Sequence, residues 1–285
     1  DRLASNDAEF TGDWSGKGGN CTTILADPMR PEMVWASLGE GVVSGTTLIR
    51  SISGGAPGTW FPTLGSGGYL HGLSLDLESP IGKRTLYVTS NGDVYKSVND
   101  GQSWSLVFDC NECYVTAARG SFVLAGGQAG LWRSLDGGST WAEIHPATFH
   151  LPPSGYALRY AKWYGPHDIL IADPEIYVAM NGSNRGLYKS TDDGGSWTRI
   201  VPDDFARSVH RDLHGTLYYG SSSATSSGGD GGAGSAGIWF STNGGVSCSD
   251  LTPGLAWPFV WPIATIRATG TDVNVFIGSP GSGFF

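Results

Sequence analysis

Three stretches of one design, VYKSVNDGQSW (94–104), LWRSLDGGSTW (131–141) and LYKSTDDGGSW (187–197), decide how this chain folds. Each reads as a short apolar strand ending in Ser, then a turn dense in Asp, Asn and Gly, then Trp. Gly supplies positive φ without steric cost, and Ser and Asp side chains bond the amides of their own turn, which locks a hairpin. The Trp ring then packs on a neighbouring strand with its indole N–H near a polar rim. IWFSTNGGVSC (238–248) keeps the frame, with Asn243 at the acid position and Cys248 at the Trp position. LIRSISGGAPGTW (48–60) is stretched and has lost its acid. Because they recur in equivalent turns, Asp100, Asp136 and Asp192, with Trp104, Trp141 and Trp197, read as structural staples rather than catalytic groups.

Two further strand-like runs precede each turn, such as LHGLSLDL and TLYVTS in the second unit and YVTAA and SFVLAGG in the third. No helical periodicity separates them, so each unit is expected to form a four-stranded antiparallel sheet. The turn strings resemble the Asp-box, S-x-D-x-G-x-T-W, of sialidases, xyloglucan-active glycoside hydrolases and the sortilin luminal domain. The resemblance implies an all-β fold, a β-propeller of four-stranded antiparallel blades. The blade units expected are 22–63, 70–108, 113–144, 156–201, 207–252 and 262–285 joined by 1–20. The closing Trp or its substitute falls at 60, 104, 141, 197 and 248, and the last unit stops at GSGFF before any turn of this type. Ser5-Asn6-Asp7 precedes Trp14 as Ser51 precedes Trp60, so the two ends together are expected to form a sixth blade that closes the ring and covers open edges. The rival reading is a piece of a longer, seven-bladed chain.

Composition narrows the partners. The chain has 285 residues, of which 44 are Gly and 15 Pro, and a net charge of −9 that opposes nucleic acid and anionic membranes and suits neutral or cationic ligands. No apolar run is long enough to span a membrane, so no membrane insertion is expected. Cys21, Cys110, Cys113 and Cys248 are an even number in a chain whose composition fits export, either secreted and extracellular or periplasmic. CNEC (110–113) lacks the His of a haem-attachment motif and a second CxxC for zinc, so a local disulfide is expected, with no metal and no cofactor. Asn20 and Asn181 head glycosylation sequons, usable if the source is eukaryotic.

Loops at the end of the sheets opposite the Asp-turns are where the resemblance places ligands. The carboxylates and His there, candidates for catalysis, are Glu40, His71, Asp109, Glu112, Asp203 and Asp204. Tyr69, His145, His150, Arg185, Trp257 and Trp261 are the candidate ligand-binding side chains; the two Trp flank a Pro-rich turn outside any repeat. Glycoside hydrolysis needs two carboxylates about 5–10 Å apart, and no spacing here pairs any two. The Phe/Tyr-Arg-Ile-Pro motif of sialidases is absent, and one compact propeller does not supply the cleft between two propellers used by the xyloglucan-active hydrolases. Two readings follow: a secreted carbohydrate-active propeller, glycoside hydrolase or lyase if an enzyme, with either an acid pair or a His with Tyr or Arg beside exposed aromatics; or a non-catalytic propeller that binds or scaffolds an extracellular protein.

Overall fold

The computed structural model describes residues 23–38, 47–65, 70–110, 112–127, 130–144, 165–181, 185–202, 206–221, 237–255, 260, 263–267, 272–279 and 283–284. Every regular element among them is a β-strand. The strands form antiparallel meanders in which each strand pairs with the next in sequence. Five sheets have four strands: β1(Ile24–Asp27) to β4(Trp60–Gly65), β5(Leu70–Asp76) to β8(Ser105–Phe108), β9(Cys113–Arg119) to β12(Ala142–Glu143), β13(Gly165–Ala172) to β16(Thr198–Pro202), and β17(Ala206–Arg211) to β20(Ser249–Asp250). The sixth has three, β21(Ile263–Arg267), β22(Val273–Ser279) and β23(Gly283–Phe284). The N-terminal segment expected to complete it lies outside the described residues.

The chain divides into two compact units, residues 1–125 with 132–142, and residues 126–131 with 143–285. Within each, apolar side chains fill the space between successive sheets. In the first unit Met33, Trp35, Leu75 and Leu86 form one such layer, and Tyr87, Val94, Cys110, Cys113 and Val123 another. In the second, Tyr177, Leu187, Val209, Leu217 and Tyr219 pack together, as do Tyr218, Ile238, Val260, Ile263 and Ile277.

The turn between the third and fourth strands repeats one hydrogen-bond pattern. A buried Ser hydroxyl ends the third strand in all five four-stranded sheets: Ser51, Ser97, Ser134, Ser190 and Ser241, none more than 2% exposed. It accepts the N–H of Gly55, Gly101, Gly138, Gly194 and Gly245, at 2.8–3.1 Å. Each of those glycines has φ between 74° and 95° and follows a second positive-φ residue: Gly54, Asp100, Gly137, Asp193 or Gly244. The Ser hydroxyl in turn donates to the side chain two residues on, Asn99, Asp136, Asp192 or Asn243, at 2.8–2.9 Å. That side chain closes the far side of the turn, as when Asp136 accepts from Thr140 N–H at 2.8 Å and Thr140 Oγ1 at 2.6 Å. The Thr140 and Ser196 hydroxyls, their N–H groups, and Ser134 and Ser190 lower the carboxyls of Asp136 and Asp192 to about 2. In the stretched turn Thr59 takes over directly, sharing a 2.7 Å bond with Ser51 Oγ, so the turn survives without an acid.

Asp100 stands apart from Asp136 and Asp192. Asn99 occupies the position of those two acids, and Asp100 is the positive-φ residue that follows, with φ 59°. Its carboxylate accepts from Arg30 Nη2 at 2.5 Å and from the Arg84 N–H at 2.8 Å. Arg30 also reaches Asp27, and Arg84 grips Asp27 with Nε at 2.9 Å and Nη2 at 3.1 Å. Asp27 and Arg84 are 0% and 1% exposed, so this is a buried charge network between the first two sheets. Burial pushes the Asp27 carboxyl up, but hydrogen bonds from Arg84, the Met29 N–H and Arg30 outweigh it and hold the group at about 2.

The turns also join sheet to sheet. The indole N–H of Trp104, Trp141 and Trp197 donates to the carbonyl of Gly101, Gly138 and Gly194 in its own turn, at 3.1–3.2 Å. The same N–H also reaches the preceding sheet at Thr63 Oγ1, Val107 O and Ile144 O. The carbonyl of the first positive-φ residue accepts from that sheet in return. Trp35 Nε1 bonds Asp100 O at 3.0 Å, Tyr87 OH and Lys96 Nζ bond Gly137 O at 3.0 and 2.7 Å, and Lys189 Nζ bonds Gly244 O at 3.4 Å.

Two stability outcomes follow from these joints. Trp141→Phe keeps the ring but loses the shared N–H, and its urea midpoint is expected to fall by the equivalent of about 1 kcal/mol. Arg84→Met strips a buried carboxylate of its main partner and is expected to cost about 3 kcal/mol at pH 7. Asp27 contributes its stability above pH 4 and loses it as pH falls through 2, so the deficit of Arg84→Met relative to the wild type should shrink over that range.

Candidate functional site

The end of each sheet opposite the Ser-turns is where the first strand begins, and there the chemistry-bearing side chains gather. In the first unit β5 and β9 lie against each other. A Cβ on Gly72 would sit 2.6 Å from Tyr114 O and Val115 Cα, so only glycine, here at φ 53°, allows the approach. Thr116 Oγ1, on β9, bonds Ser74 Oγ at 2.8 Å and also donates to Gly72 O, both on β5. Above this seam His71, second residue of β5, meets Tyr114, second residue of β9, edge to face with ring centroids 6.3 Å apart.

Glu112 completes the cluster. The Cys110–Cys113 disulfide closes the loop that carries it. The N–H groups of both Glu112 and Cys113 donate to Gly92 O, at 3.1 and 2.8 Å. Glu112 has φ 129°, a region that non-Gly residues avoid and that costs on the order of 1–3 kcal/mol. His71, Glu112 and Tyr114 are all half-buried. Burial raises the Glu112 carboxyl above its ordinary range. Burial, and then the nearby Glu112 charge, raise the Tyr114 phenol, so it keeps its proton and acts as a donor. A donor, an acceptor and two ring faces converge at the edge of the sheets, a combination suited to polyol or cation recognition.

The second unit carries a different group at the corresponding strand ends. Arg207 Nη1 on β17 lies 3.2 Å from His167 Nε2 on β13. Asp168 fills the bulge next to it, its Oδ2 accepting the Val209 N–H of β17 at 2.9 Å and its Oδ1 the Ile169 N–H at 3.0 Å. The residue keeps some exposed surface, but its carboxyl points inward, and desolvation outweighs both bonds to raise it to about 6. His210 bonds Thr265 of β21 at 2.8 Å, and burial lowers its pKa.

Of the residues singled out from sequence, His71 and Glu112 are brought together around Tyr114. Asp109 is exposed on the same loop and shares no hydrogen bond with Glu112. Arg185 lies at the start of β15(Gly186–Ser190), where its carbonyl accepts Arg199 Nε at 3.0 Å. Glu40, Tyr69, His145, His150, Asp203, Asp204, Trp257 and Trp261 lie outside the described residues. Asp168, His167, Arg207 and Tyr114 were not singled out. Asp168 is the one acid in the strand GPHDILIA. No group of three or more metal-ligating side chains occurs among the described residues, and no helix is long and apolar enough to cross a membrane.

No protein-family model matches the chain. A Paenibacillus protein described as a xyloglucanase is 26% identical over 169 residues, 45% of this chain and 15% of that protein. An ancestral GH74 enzyme superposes with a TM-score of 0.67 at 17% identity, covering 93% of this chain and 35% of that one. The GH74 xyloglucanase of Xanthomonas campestris gives 0.62 at 19%, over 95% and 45%. The chain thus spans less than half of these relatives. YCF48 bound to D1 peptide gives 0.57 at 13%, over 93% of this chain and 80% of that one. The fold is that of a propeller, with GH74 xyloglucanase propellers among its neighbours.

Asp168 supplies a pH test of the second unit. Its raised carboxyl favours the folded state below pH 4, and that contribution disappears as pH rises through 6. Relative to the wild type, Asp168→Asn should therefore gain about 2 kcal/mol of unfolding free energy between pH 4 and pH 7, read from urea titrations.

Proposed function

We propose that this chain is a carbohydrate-binding propeller acting outside the cytoplasm, with its ligand held where the first strands begin, at the His71–Glu112–Tyr114 cluster. The match to the Paenibacillus xyloglucanase carries the reading, because it is a likeness of sequence in addition to fold. The cluster is compatible with it in kind: Tyr114 donates, Glu112 accepts, and the Tyr114 and His71 rings offer apolar faces to a sugar. We read the five Ser-turns as Asp-boxes and the six sheets as six blades, with the N-terminal segment completing the last.

Cleavage makes a further demand. A second carboxylate would have to stand about 5–10 Å from Glu112. The second reading, a propeller that binds a protein segment, draws on one observation: the peptide-bound YCF48 is matched over 80% of its length, where the GH74 enzymes are matched over less than half.

Calorimetric titration with xyloglucan oligosaccharides is expected to give sub-millimolar binding, more favourable than about −4 kcal/mol. Tyr114→Ala should weaken it at least tenfold while leaving the thermal midpoint close to that of the wild type. Reducing-end release from the polymer, followed in parallel, tests for cleavage. Absence of binding to any saccharide, together with capture of a peptide by the same face, would replace this reading with the second.

A further inference from the structure

Glu112 poses a question that glycan binding in general does not answer. The residue is half-buried, yet among the described residues its only hydrogen bond is made by its backbone N–H, to Gly92 O. Other inward carboxylates in the first unit are partnered: Asp27 by Arg84 and Arg30, Asp100 by Arg30, and Asp76 by the N–H groups of Glu78 and Gly120. Partial burial without a partner penalises a carboxylate, and the penalty is relieved when a cation arrives. Tyr114, two residues on, has a half-buried ring and a phenol that feels the Glu112 charge, and an aromatic ring together with a carboxylate is a pairing that recognises ammonium groups.

The rest of the local chemistry points the same way. Residues 91–95 (NGDVY) and 108–114 (FDCNECY) contribute Asp93 and Asp109 and no Lys or Arg, and Lys96, next along the hairpin, is committed to Gly137 O. The chain as a whole carries −9, so a cation approaching this end is drawn in over several ångströms. The disulfide at Cys110–Cys113 and the two N–H bonds to Gly92 O hold the backbone that carries the carboxylate, which reduces the ordering cost of binding.

We propose that Glu112 and Tyr114 form a subsite for the protonated amine of an amino sugar, with Glu112 as the specificity-determining acceptor. This rests on the carbohydrate-binding reading and adds a charge requirement to it. Neutral glycans meet the same rings and hydroxyl without the ion pair, and uronate-bearing glycans are repelled.

The experiment compares three tetrasaccharides by calorimetry with the full chain: a β-1,4-glucosamine oligomer with free amines, its fully N-acetylated form, and a neutral gluco-oligosaccharide. The free-amine ligand is expected to bind at least tenfold more tightly than the other two at pH 6 in low salt, and to lose most of that preference in 0.5 M NaCl. Its affinity should fall on acidification below pH 6, since Glu112 takes up its proton at higher pH than an ordinary carboxyl while the amines stay charged. Glu112→Gln should bring the three ligands within about threefold and flatten the acid limb, while Tyr114→Leu weakens the free-amine ligand in an otherwise intact protein. Salt and pH dependence are read on the unaltered chain, so the test does not depend on any variant folding. Equal affinities in the wild type, with the neutral ligands binding, would overturn the amino-sugar subsite and leave carbohydrate binding standing. Failure of every saccharide would overturn both. Tetralysine that binds as tightly, with the same dependence on Glu112, would overturn the sugar as the source of the ammonium group in favour of a protein lysine.

Discussion

Each four-stranded sheet in this structure turns on a buried serine hydroxyl. At Ser51, Ser97, Ser134, Ser190 and Ser241 one oxygen holds the N–H that the reversing backbone would otherwise leave unsatisfied, and a buried orphan donor costs about 1–3 kcal/mol. The side chain two residues on is interchangeable. Asp136 and Asp192 accept from a hydroxyl, Asn99 and Asn243 donate their amide to one, and Thr59 reaches the Ser directly. The acid that makes the motif conspicuous is the part the turn can do without. What it cannot replace is a small hydroxyl on one side and two positive-φ residues on the other.

This explains why the fold was legible and one assignment within it was not. Apolar strands, Gly-rich turns and a recurring Trp are period and steric signals, and both survive in a single sequence. Asp100 has the residue type of the repeated acid but not its place, which Asn99 takes by satisfying the same Ser hydroxyl. The freed Asp100 instead turns outward from its turn to Arg30 and Arg84, which lie 70 and 16 residues away. Long-range pairing of that kind leaves no local periodicity to read.

The candidate site shows the same division. His71 and Glu112 were identifiable because each is a titratable group at the mouth of a strand. Tyr114 was not, because an aromatic residue in a strand ordinarily belongs to the core. Its role emerges from the neighbouring strand, which Gly72 allows to come close enough for the His71 and Tyr114 rings to meet. Asp168, similarly, gains its raised pKa from a backbone bulge that points it at the Val209 N–H, a feature set by the register of two strands rather than by the letters around it.

The joint between sheets has a further consequence. Trp35, Tyr87, Lys96 and Lys189 all address a backbone carbonyl, and the residue that owns it is Asp at 100 and Gly at 137 and 244. The neighbour reads the oxygen and is indifferent to the side chain. A backbone oxygen has no letter of its own, so drift at these positions erases the visible likeness between one repeat and the next without loosening the seam. The likeness between repeats is held in peptide geometry as well as in letters.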